Sequence, residues 1–64
     1  MNIEEQYDVV LCLLTQKPLR TTDIIRETGW SRERVKNRLR TLRQTGEVIV
    51  SKKGRSGDWL WQIV

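Results

Sequence analysis

The chain has 64 residues, with 12 Lys and Arg against 8 Asp and Glu, a formal net charge of +4, one cysteine and no histidine. A chain this short makes one domain and buries only about 60% of the surface exposed when unfolded. With Cys12 alone and no histidine, no internal disulfide, zinc centre or imidazole-based acid–base pair is expected. Cys12 also has no basic residue within one helical turn to activate its thiolate, and no glycine-rich phosphate loop follows a strand. The expectation is a non-enzyme that uses no cofactor and has no evident small-molecule effector.

Ile3, Tyr7, Val10, Leu11 and Leu14 recur at helical steps and predict a first helix over about Ile3–Thr15, with Glu4 and Glu5 in its first turn. Lys17-Pro18 closes it, because the residue before proline is pushed out of the helical region. Val9, Cys12 and Leu13 widen the apolar stripe beyond what one packing seam needs. They, or Leu60 and Val64 near the C-terminus, are candidate surfaces for a homodimer.

After the extended stretch Leu19-Arg20-Thr21, which also suits a short strand, a second helix is predicted. Thr21 and Thr22 are its caps, Ile24 and Ile25 its apolar side, and Gly29 its stop. It is too short to stand alone, so Trp30 is expected to insert between this helix and the next.

Ser31 caps a third helix that runs to Gly46, with Val35, Leu39 and Leu42 as its core seam. Glu33, Asn37, Arg40 and Thr41 project opposite that seam. Arg32, Arg34, Lys36, Arg38 and Arg43 lie on its flanks.

Beyond Gly46 the pattern changes to alternation and reads as a hairpin. The strands are Glu47–Ser51 and Trp59–Val64, and the connection Lys52–Asp58 carries two glycines and three cations. The face bearing Trp61 and Ile63 is expected in the core, leaving Leu60 and Val64 partly exposed.

Charge is divided along the chain. Residues 1–30 hold three Lys/Arg against five Asp/Glu, and residues 31–64 hold nine basic residues against three acidic ones, balances of −2 and +6. A cationic helix followed by a cationic hairpin loop is the footprint of a polyanion-binding surface.

The segment Leu19–Val35, continued by Leu39, Leu42, Gly46 and the Gly54–Ile63 hairpin, resembles a winged helix-turn-helix domain over nearly the whole chain. The resemblance implies an α+β fold with a three-helix core followed by a two-stranded β-hairpin wing. It also implies a third helix that enters the major groove of double-stranded DNA. The closing Leu60-Trp61-Gln62-Ile63 is similar to the last strand of the Zα domains, which bind left-handed duplexes. Lys36 and Arg40, however, stand where that family has asparagine and tyrosine, and the loop lacks its prolines.

The function expected is therefore a small sequence-specific DNA-binding regulator of transcription, of the kind that plasmids and viruses encode. Alternatives are a protein-interaction adaptor and a Z-form duplex binder. Arg32, Glu33, Lys36, Asn37 and Arg40 are the expected base readers, since an amide pairs bidentately with adenine and a guanidinium with guanine. Arg34, Arg43, Lys52, Lys53 and Arg55 are the expected phosphate contacts. No apolar run approaches the ~18 residues of a membrane span, and the first five residues lack the basic start of a signal peptide. The expected location is cytoplasmic or nucleoid-associated.

Overall fold

Asn2 starts the first helix by accepting the Glu5 N–H at 2.8 Å through its side chain. In the computed structural model, which describes all 64 residues, this helix (α1) spans Ile3–Gln16. It is followed by β1 (Leu19–Arg20), α2 (Thr21–Thr28), α3 (Arg32–Gln44), β2 (Val48–Lys52), a 3-10 turn (Arg55–Gly57) and β3 (Leu60–Ile63). The fold is α+β, with three helices and one antiparallel sheet.

Local chemistry accounts for the helix ends. Gly29 adopts φ 73°, a left-handed conformation that costs glycine nothing, and its N–H closes α2 on the Ile25 carbonyl at 2.8 Å. The Ser31 hydroxyl accepts the Arg34 N–H and opens α3 two residues later. At the other end the Glu47 N–H reaches Leu42 O at 2.9 Å while Gly46 N–H reaches Arg43 O at 3.1 Å, the paired bonds of a Schellman motif.

The sheet order is β1-β3-β2: the short strand that Leu19-Arg20 suits joins the hairpin, and β3 lies in the middle and pairs with both neighbours. Leu19 and Val50 both stand opposite Trp61, and Val48 stands opposite Ile63. Partners across a ladder share a face, so these side chains cover the helices together. Ser51 is an extra residue in the β2 strand, since Val50 pairs with Trp61 but Lys52 pairs with Leu60. Simple alternation would put Lys52 on the core face beside Val48 and Val50. The bulge moves it to the outer face.

Val10 and Leu14 of α1, Ile24 of α2, Val35, Leu39 and Leu42 of α3, and Leu19, Val48 and Trp61 of the sheet form the core. Three expectations need correction. Ile3 is 49% exposed, because it lies beyond the reach of the other elements at the first turn of α1. Thr21 is not a cap but the first residue of α2 and is fully buried; Arg20 holds the cap position. Thr41 is half-buried beside Tyr7 and Leu11 of α1 and not on the open face of α3, because α1 flanks that side. Trp30 is half-buried and packs against the core.

Candidate nucleic-acid interface

Packing of the Val35, Leu39 and Leu42 seam leaves the opposite side of α3 facing outward. There Arg32, Glu33, Lys36, Asn37 and Arg40 line one shallow depression that contains no apolar side chain. All five are exposed. The five residues expected to reach base edges are thus brought together on one helix face.

A second concavity, of about 290 Å3, lies between α3 and β3. Lys36, Arg40 and Arg43 line it from the helix, Trp59 and Trp61 from the sheet side, and Gly57 and Thr21 complete it. The Trp59 and Trp61 rings are 6.0 Å apart and inclined by 36°. The Arg43 guanidinium lies 5.7 Å from the Trp59 ring centre and the Lys53 ammonium 5.1 Å from it, both within cation–π range. Trp59 is a site residue that sequence reasoning missed. Its only signal was its place one step beyond Trp61 in the alternating strand, which marks a face and not a cleft.

Not every cation joins these two concavities. Arg34 is exposed and has its guanidinium 5.9 Å from the Trp30 ring, toward the α2–α3 turn. Lys52 ends β2, Lys53 follows it and Arg55 sits on the 3-10 turn; all three are exposed and line neither concavity, although Lys53 approaches the Trp59 ring at the edge of the second. Arg38 is turned toward α1, where its Nε donates to Gln6 Oε1 at 2.9 Å and its guanidinium lies 5.5 Å from the Tyr7 ring.

The one ion pair within 4.0 Å joins Arg26 and Asp23 of α2. None of the basic residues from Arg32 to Arg55 is therefore neutralised by a carboxylate at contact distance. Asp58 faces elsewhere: its Oδ1 accepts from the Thr22 N–H at 3.0 Å and from the Thr22 hydroxyl at 2.9 Å. The backbone bond from Thr22 holds the Asp58 carboxyl below its ordinary value of 3.8, against an opposing desolvation and with help from the Thr22 hydroxyl and the fields of Arg20 and Arg32.

No group of three or more Asp, Glu, Cys or His side chains gathers where it could hold a metal ion. No helix is long and apolar enough to cross a membrane. No protein-family model, curated protein or solved structure matches the chain.

Proposed function

We propose that the protein is a winged helix-turn-helix domain that binds double-stranded DNA in a sequence-specific way and regulates transcription. In this reading α3 lies in the major groove and the β2–β3 loop is a wing on the phosphate backbone. The observation that carries it is the set of cations without carboxylate partners that passes from Arg32, Lys36 and Arg40 on the outer face of α3 through Arg43 to Lys53 at the Trp59 ring. A helix of 13 residues is about 20 Å long, and its diameter of about 10–12 Å with side chains fits the ~12 Å width of the major groove. The base-reading set of Arg32, Glu33, Lys36, Asn37 and Arg40 is presented on its exposed face, with Arg34, Arg43, Lys52, Lys53 and Arg55 around it.

A right-handed duplex suits the site better than a Z-form one. Trp61, the residue shared with the Zα strand, is only 6% exposed and donates its Nε1–H to Thr21 Oγ1 at 2.9 Å, and Arg40 occupies the position of that family's tyrosine. Two copies on a palindromic site would double the contact surface and raise affinity by making the second contact intramolecular. Sedimentation of the free and DNA-bound protein reads that part of the proposal.

Selection from random duplexes, followed by anisotropy titration of the recovered sequence over a range of salt, tests the function. A recovered motif with affinity falling linearly in log–log salt is the expected result. Absence of duplex binding at low salt would overturn the reading in favour of the protein-interaction adaptor.

A further inference from the structure

Reading base edges does not require Trp59, yet this half-buried indole carries two cations from different elements. Arg43 belongs to the last turn of α3, and Lys53 lies past the bulge of β2. Both charged groups are within 6 Å of the same ring centre. Two flexible cationic side chains repel each other when free in solvent. The electron-rich indole face offsets that repulsion and limits the freedom of both.

Lys36 and Arg40 add their charges to the same cleft, and no carboxylate lines it. Asp58, next to Trp59 in the chain, keeps its charge but turns its carboxylate to Thr22 and does not line the cleft. At the floor, the Trp61 N–H and the buried Thr21 hydroxyl satisfy each other, and no buried side-chain polar atom lacks a partner. The cleft thus has a finished floor and a rim of unneutralised cations.

We propose that this cleft is a phosphate-binding site in which Trp59 is the positioning residue, gathering Arg43 and Lys53 so that helix and loop grip one phosphate group together. The guanidinium fork of Arg43 matches a phosphate's oxygens and Lys53 supplies a point charge, while the base-reading Lys36 and Arg40 add positive potential at the cleft. The indole is already covered by its two cations, so it serves them and does not stack a base. The inference rests on the duplex reading for the source of the phosphate, which is the DNA backbone; free phosphate shares the chemistry and serves as the probe.

The test follows the Trp59 indole N–H signal of the full chain by NMR, assigned with Trp59→Phe, during titration with inorganic phosphate and with chloride at matched ionic strength. The expected result is a saturable shift with phosphate only, lost in Arg43→Ala. Duplex titrations then compare Trp59→Leu with Trp59→Tyr, each checked for folding by circular dichroism. The salt slope should fall by about one unit in the leucine variant, for the one phosphate that is no longer neutralised. It should be largely kept in the tyrosine variant, and Lys53→Ala should have little further effect in the leucine background.

A chloride response equal to the phosphate response would overturn the site, as would a leucine variant with an unchanged slope or equal losses in the two variants. A parent protein whose Trp59 responds to phosphate but which ignores duplex DNA would uphold the site and overturn the duplex reading. The converse result would remove the site and leave the duplex reading standing.

Discussion

Asp58 and Thr22, 36 residues apart, are joined by two hydrogen bonds to one carboxylate oxygen, 3.0 Å from the Thr22 N–H and 2.9 Å from its hydroxyl. Thr22 is the second residue of α2, so its N–H is one of the first-turn donors that the helix itself leaves unpaired. Arg20, at the cap position, has no side-chain acceptor to offer. The β2–β3 loop supplies the missing cap across the fold, and Asp23 Oδ2 takes the Arg20 N–H at 3.2 Å.

Asp58→Ala should therefore destabilise the protein by about 1 kcal/mol at neutral pH, the usual cost of a lost helix cap. Because folding lowers the Asp58 pKa, the stabilisation is present above the unfolded value of 3.8 and is lost as pH falls through the folded value. Urea unfolding of parent and variant should show a clear gap at neutral pH that narrows in strong acid. A gap independent of pH would show that the charge on Asp58 contributes nothing.

Trp61→Phe removes the donor that Thr21 Oγ1 faces at 2.9 Å inside the core. Thr21 is fully buried with Trp61 in place, so its hydroxyl loses the partner it has inside the fold. The expected cost is about 1–3 kcal/mol, the range for an orphaned buried polar group. Adding Thr21→Val should recover part of it, since removing both partners is less costly than removing one. Denaturant midpoints of the single and double variants measure this directly.

Arg38 and Arg40 are two residues apart on α3 but should fail in opposite ways. Arg38→Ala removes the bond to Gln6 and the contact with Tyr7, and should lower stability by about 1 kcal/mol while leaving the salt slope of duplex binding unchanged. Arg40→Ala should leave the melting temperature nearly unaltered and weaken binding, because its side chain is exposed and lines both concavities. Thermal melts and anisotropy on the same samples separate the two roles.

Asn37→Ala should cost about 1–3 kcal/mol on the selected site and relax its sequence preference, as expected when a bidentate base contact is lost. Arg55→Ala, on the exposed 3-10 turn, should weaken binding to all sequences alike and reduce the salt slope by about one unit. Competition with scrambled duplexes distinguishes these patterns. Loss of preference in the Arg55 variant would move base reading to the loop.

Three helices, their stops at Gly29 and Gly46, the Ser31 cap, the switch to strands after Gly46 and the cationic face of α3 were all legible in the sequence. Each depends on interactions within about one turn of helix or on strict alternation, so residue spacing reports them. The pairing of β1 with β3, the bulge at Ser51, the burial of Thr21 and the cap from Asp58 were decided only by tertiary packing. So were the turning of Arg38 toward Gln6 and the gathering of Arg43 and Lys53 on Trp59. In these cases one partner's geometry depends on where another element, up to 42 residues away, is held by the core around Trp61. A residue's type and its near neighbours do not encode that position. The sequence alone determined which helix is charged, and the closed fold decided which of its charges are turned to other side chains and which remain exposed.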